Sequence, residues 1–128
     1  MIGYVTLGTN NMERAAAFYD ALLAEIGAKR FMEMDTFIAW ATSPDKPGLS
    51  VTVPFDGKPA SQGNGTMVAL AVSSPDMVDA IHARAMSLGA TNEGDPGQRM
   101  EGFYAGYFRD LDGNKLNAFC LNAKDFEK

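Results

Sequence analysis

Cysteine and histidine are almost missing from this 128-residue chain, which carries one of each, Cys120 and His82. One cysteine cannot close an internal disulfide or build a zinc cluster, and a reducing cytoplasm is the expectation. One histidine leaves no second imidazole for a metal centre. A basic excess is missing too. Eleven Lys and Arg stand against sixteen Asp and Glu, a net charge of -5. Nucleic-acid binding needs a basic footprint, so no nucleic acid is expected as a partner. No apolar run is long enough to cross a bilayer, and the opening MIGYVTLGT has neither basic leader nor cleavage site. No membrane partner is expected either.

What is present is a pattern given twice. With 46% hydrophobic residues the chain is long enough to bury a core as one domain. YVTLGTNNMERAAAFYDALLAEIGA, from Tyr4, lies over MVALAVSSPDMVDAIHARAMSLGA, from Met67, with the offset slipping from 63 to 62. Each reads as a strand, a capping cluster, an amphipathic helix and Gly-Ala. In the first helix the spacing predicts Asn10 as N-cap, with Glu13 completing a capping box. Met12, Ala15, Ala16, Tyr19, Leu22, Leu23 and Ile26 form its apolar stripe. In the second, Ser74 caps, Pro75 takes the first helical position, and Val78, Ile81, Ala85 and Leu88 form the stripe. Gly27 and Gly89 close the two helices. FIAWATSPDKPGLSV, from Phe37, then lies over YAGYFRDLDGNKLNA, from Tyr104, at a constant offset of 67, setting Trp40 on Tyr107 and Ser50 on Asn117. Residues 1–58 and 64–122 are thus two repeats, joined inside one domain through the turn-rich FDGKPASQGNG.

This order, strand-helix-three strands given twice, resembles the vicinal oxygen chelate superfamily of glyoxalases, bleomycin-resistance proteins and extradiol dioxygenases. The likeness rests on YVTLGTNNMERAAAFYDALL, PFDGKPASQGNGTMVALAV and FRDLDGNKLNAFC. It implies an α+β fold of two βαβββ repeats, a curved mixed sheet around a cavity with helices outside, and pairing into homodimers. It also implies a divalent metal on four His or Glu side chains, two from each half. Carried across, those positions are Tyr4, Met67, Asn117 and its repeat mate Ser50, with Thr52 the other candidate in the middle strand. A phenol, a thioether, an amide and a hydroxyl make a poor site for a dication. No metal or other cofactor is therefore expected. The resemblance then implies a glyoxalase- or bleomycin-resistance-like protein that binds a small apolar or aromatic ligand without metal. The alternative is a metal-dependent lyase, isomerase or dioxygenase, for which the alignment must shift or a partner chain must bring ligands. A third reading makes the dimer itself the product and the pocket vestigial.

Strand alternation turns Val5, Leu7, Val68, Leu70 and Val72 toward the helices, and Tyr4, Thr6, Met67, Ala69 and Ala71 toward the cavity. Asn117 and Phe119 share a face by the same rule. As repeat mates, Trp40 and Tyr107 are expected on equivalent faces, stacking on a ligand or filling the core or the dimer contact. GQRMEGFY reads as a loop entering a strand and offers Arg99 and Glu101 to the cavity rim. His82 borders the stripe of its helix and reads as structural. Cys120 shares a face with Leu116 and Ala118 and reads as a small buried hydrophobe. In DLDGN the glycine falls fourth from Asp110 rather than sixth, which makes a turn and not a calcium loop. No general acid or base has an identifiable partner.

Overall fold

Period-two alternation and helical stripes give each half one apolar side, and each half buries it by laying its helix on its own sheet. The computed structural model describes residues 1–122. The first half runs β1 (Tyr4–Gly8), α1 (Met12–Ala24), β2 (Lys29–Met34), β3 (Phe37–Ala41) and β4 (Gly48–Thr52). The second repeats it as β5 (Val68–Ala71), α2 (Pro75–Ser87), β6 (Thr91–Met100), β7 (Phe103–Arg109) and β8 (Lys115–Leu121). Each half makes its own four-stranded sheet, in the order β1-β4-β3-β2 (sheet A) and β5-β8-β7-β6 (sheet B). The pairs β1/β4 and β5/β8 are parallel and the rest antiparallel. Leu22, Leu23, Trp40 and Val51 fill the space between α1 and sheet A, and Val78, Ile81, Phe108 and Leu116 do the same in the second half. Burying each such side chain contributes about 1.5–3 kcal/mol.

Helix ends follow the capping chemistry, with one correction. Ser74 accepts the Met77 N–H at 3.2 Å, and Pro75 opens α2. In α1 the N-cap is Asn11, which accepts the Arg14 N–H at 3.0 Å, rather than Asn10. Asn10 serves the linker instead. Its Oδ1 accepts the Ala60 N–H at 2.6 Å and its Nδ2 donates to the Ala60 carbonyl at 3.3 Å. Two adjacent asparagines compete for one cap, and the linker takes the first. Gly27 and Gly89 close the helices at φ 77° and 96°.

A second correction concerns the hairpins. Trp40 pairs with Leu49 while Tyr107 pairs with Asn117, and it is Phe108 that pairs with Leu116, the mate of Leu49. Six residues, 42–47, link β3 to β4, but only five, 110–114, link β7 to β8. The constant offset therefore breaks in the turn. A one-residue slip exchanges the faces of a strand, so Trp40 and Tyr107 lie on opposite sides of their sheets. Trp40 is 1% exposed under α1. There its Nε1 donates to Asp20 Oδ1 at 2.8 Å.

The third correction is β6. The stretch GQRMEGFY reads as a loop entering a strand, yet its first four residues, Gly97–Met100, already close a ten-residue strand, TNEGDPGQRM, that carries a proline and two glycines. It is the outer strand of sheet B, and its register shifts three times. An edge strand tolerates proline and glycine because one row of its backbone groups has no ladder to complete.

The halves meet through DLDGN. Asp110 is buried and accepts the Tyr19 hydroxyl at 2.5 Å, while Asn114 Nδ2 donates to the Gly8 carbonyl at 2.9 Å. Asp112 accepts Thr9 Oγ1 at 2.6 Å and the Asn10 N–H at 3.0 Å, and forms an ion pair with Arg14 at 3.2 Å. The turn that superficially suggested a calcium loop is the clasp between the repeats.

Candidate functional site

The two sheet faces turned away from the helices are open in the single chain. Sheet A presents Tyr4, Thr6, Phe37, Ala39 and Ser50 by register, and Tyr4 and Phe37 meet edge to face at 6.1 Å. Sheet B presents Ala69, Ala71, Ala105, Tyr107, Asn117 and Phe119. The four positions singled out for metal ligands thus fall into two pairs, Tyr4 with Ser50 on sheet A and Met67 with Asn117 on or beside sheet B. Tyr4 and Met67 are exposed, at 60% and 40%. Ser50 and Asn117 are buried in the centre of their sheets.

Ser50 and Asn117 have different environments although they are repeat mates. Thr6 pairs with Ser50 across β1/β4, and Ala69, the mate of Thr6, pairs with Asn117 across β5/β8. The Ser50 hydroxyl donates to the Val5 carbonyl at 3.0 Å, so the Thr6 hydroxyl, 2.8 Å away, donates to Ser50. Ser50 is thereby satisfied within sheet A. Thr52, its alternative, donates to the Thr36 carbonyl at 3.0 Å. Alanine at 69 has nothing to donate, and Asn117 stays without a partner. Asn117 is 2% exposed, and its Oδ1 is the one buried side-chain oxygen or nitrogen among the described residues that lacks a hydrogen bond.

Two cations flank the tyrosine that stands across from this amide. Tyr107 stands opposite Asn117, with the Arg99 guanidinium 5.2 Å and the Lys115 ammonium 5.6 Å from its ring centre. Both distances are within cation–π range. Arg109 adds a third positive charge, but it hydrogen-bonds Glu93, and that bond holds the Glu93 carboxyl below its ordinary range. Glu101, named with Arg99 from the sequence, sits exposed in the turn between β6 and β7, beyond the strand that carries Arg99. Trp40 belongs to the core beneath sheet A and does not reach either open face.

The remaining titratable candidates lie on the helix side. His82 Nε2 is 3.0 Å from Asn92 Oδ1 and 3.2 Å from the Tyr107 carbonyl, an arrangement that suits an Nε2–H shared between two acceptors. It is the eighth residue of α2, as Tyr19 is of α1. Cys120 packs against the core on the face of Leu116 and Ala118. Three clefts of about 460, 600 and 500 Å³ open at the end of sheet B, between α1 and β2, and between the halves; none is lined by Tyr4, Ser50 or Asn117.

A dication needs imidazole, thiolate or charged oxygen. The side chains at positions 4, 50, 67 and 117 supply none, and they do not fit a divalent metal. Among the described residues no three His, Cys, Asp or Glu side chains gather in a geometry that could hold one.

The fold is shared with known proteins. The model of the Glyoxalase/Bleomycin resistance protein/Dioxygenase superfamily matches residues 1–118. The chain belongs to that superfamily. A glyoxalase/bleomycin resistance protein from Albidiferax ferrireducens T118 is 36% identical, with a TM-score of 0.88 over 95% of this chain and 99% of that one. The lactoylglutathione lyase of Agrobacterium tumefaciens shares the fold at 18% identity and TM-score 0.70, covering 94% of this chain and 92% of its own. The fosfomycin resistance protein FosX of Listeria monocytogenes does so at 14% and 0.72, over 98% and 96%. No curated protein matches the sequence. Within the superfamily, the orphaned Asn117 was visible in the sequence only as a position. The Arg99–Tyr107–Lys115 group around it could be read only once the β6 bulges and the hairpin slip were known.

Proposed function

We propose that this superfamily member works without a metal, binding a small, largely apolar or aromatic molecule on the open face of sheet B, with Asn117 as its polar handle. The single observation that carries the reading is the unpartnered Asn117 amide. Leaving a buried polar group unsatisfied costs about 1–3 kcal/mol, a cost that a bound donor would offset. Ala69, Ala71 and Ala105 place only methyl groups on the same face around it, and Phe103 and Phe119, also on that face, stack at 5.5 Å. Apolar walls with a few placed polar groups suit such a ligand.

The same reading has two chains pair. Exposed Tyr4, Phe31, Met34, Met67, Met100 and Leu121 give each chain apolar surface that a second copy would cover. Metal-dependent lyase, isomerase or dioxygenase chemistry is the competing reading, and the neutral donor set argues against it.

Asn117→Leu tests the proposal. Removing the orphan while keeping the volume should stabilise the protein by about 1–2 kcal/mol, a rise in Tm of roughly 3–6 °C. It should also abolish retention of any co-purifying small molecule seen by native mass spectrometry of the wild type. A destabilised variant would mean that the amide is satisfied, and the handle would be lost. About one zinc, nickel or iron per chain in dialysed protein, by elemental analysis, would reject the metal-free reading.

A further inference from the structure

We infer that the ligand of this face is an anion, a small carboxylic or phosphoric acid whose charge meets Arg99 and Lys115 while a neighbouring hydroxyl or N–H donates to Asn117 Oδ1. The inference rests on the binding role proposed above and specifies the chemistry of what binds.

Three observations carry it. The first is the charge pattern. The protein is acidic overall, and four of its five arginines lie within 4.0 Å of a carboxylate: Arg14 with Asp112, Arg30 with Asp20, Arg84 with Glu25 and Arg109 with Glu93. Arg99 is the exception among the described residues. Its Nη atoms donate to the Gly97 carbonyl at 3.0 Å and the Asp95 carbonyl at 2.6 Å, which orient the guanidinium but leave its charge uncompensated. Lys115, on the other side of the site, has no ion pair among the described residues either.

The second observation is that the backbone makes room for Arg99. A Cβ on Gly94 would stand 3.2 Å from one Arg99 nitrogen, and a Cβ on Gly97 would stand 3.1 Å from the other. With glycine at both positions, the guanidinium lies close over β6 and against the Tyr107 ring.

The third is the position of Asn117. It stands directly opposite Tyr107 and two residues along the same strand face from Lys115. Directly opposite Cβ atoms stand about 5 Å apart and i, i+2 positions about 7 Å apart, so the Tyr107, Lys115 and Asn117 side chains rise from adjoining positions of one face, within the span of a hydroxy acid or an N-substituted amino acid. An unpaired acceptor at 2% exposure and two cations that form no ion pair among the described residues are complementary to one compact ligand with a donor next to an anion.

Mandelate, phenylacetate and benzyl alcohol separate the components. Mandelate has ring, hydroxyl and carboxylate; phenylacetate lacks the hydroxyl; benzyl alcohol lacks the charge. Titrated into the intact protein up to roughly 10 mM, the range of weak fragments, mandelate should shift the NMR signals of the Asn117 side-chain amide and of Tyr107. It should bind at least about tenfold more tightly than benzyl alcohol, with phenylacetate between them. Arg99→Gln with Lys115→Gln should erase the advantage of the acids and leave benzyl alcohol unchanged, and Lys115→Arg should retain it. If benzyl alcohol binds the face as well as mandelate does, the anionic site is overturned and the apolar one stands. Acid binding that survives Arg99→Gln/Lys115→Gln overturns it too. If none of the three shifts Asn117 or Tyr107, the binding face itself is wrong.

Discussion

Replacing Asp110 by alanine tests whether one side chain joins the two repeats. Its Oδ1 accepts the backbone N–H groups of Asp112 and Asn114, both at 2.9 Å. Its Oδ2 accepts the Tyr19 hydroxyl at 2.5 Å and Asn114 Nδ2 at 3.0 Å. Tyr19 and Asn114 are both buried, so Asp110→Ala takes this acceptor from two side-chain donors that water does not readily reach. At about 1–3 kcal/mol for each orphaned donor, with the turn bonds lost as well, the variant should lose about 3–5 kcal/mol. A domain of this size has about 5–15 kcal/mol in all. Urea unfolding followed by Trp40 fluorescence measures the loss, because Trp40 is the single tryptophan and its ring lies 5.7 Å from that of Tyr19. Tyr19→Phe alone should cost about 1.5–3 kcal/mol, the range for a bond to a charged group. In the Asp110→Ala background it should cost almost nothing, since the hydroxyl is already stranded. If Asp110→Ala shifts stability by less than about 1 kcal/mol, or if the two losses simply add, the clasp is not what joins the halves.

Two smaller predictions concern pH and capping. Burial first, and then the charge of Asp110, push the Tyr19 hydroxyl well above its ordinary value of about 10. The folded protein holds that proton after the unfolded chain has released it. The contribution is therefore complete below pH ~10 and is lost as pH rises above it. Urea midpoints across alkaline pH should fall more steeply for wild type than for Tyr19→Phe, and parallel slopes would refute the assignment. Asn11→Ala should cost about 1 kcal/mol by loss of the N-cap. Asn10→Ala should leave α1 capped and instead free the linker at Ala60, read as faster hydrogen exchange at that amide.

The sequence made the repeat legible because hydrophobic period and helix punctuation are local. Ser74, Pro75, Gly27 and Gly89 do what their chemistry dictates. The face assignments of β1, β5 and β8 followed from alternation alone. Three features were not legible, each for a non-local reason. Asn10 and Asn11 are equal as caps until the linker claims one. The extent of β6 is hidden by Gly94, Pro96 and Gly97, which an edge position tolerates. Trp40 and Tyr107 align in sequence but not in space, because a gap inside a turn has no signature in a hydrophobic pattern. At the site, the position of Asn117 could be read in advance, but its isolation could not. That isolation depends on Ala69 standing across the ladder where its repeat mate is a threonine.

The unequal turns also determine where this duplicated scaffold can change length. An insertion within a strand would invert every side chain downstream of it, turning core outward and binding face inward. Residues 42–47 have already taken up one extra position with both faces of the hairpin intact, and they carry no contact comparable to that of Asp110. The matching turn of the second repeat lacks that freedom, because a shift in DLDGN would unlatch Tyr19. Inherited insertions and deletions should therefore gather in the first turn, and the second should vary only in side chains that leave its carboxylate in place.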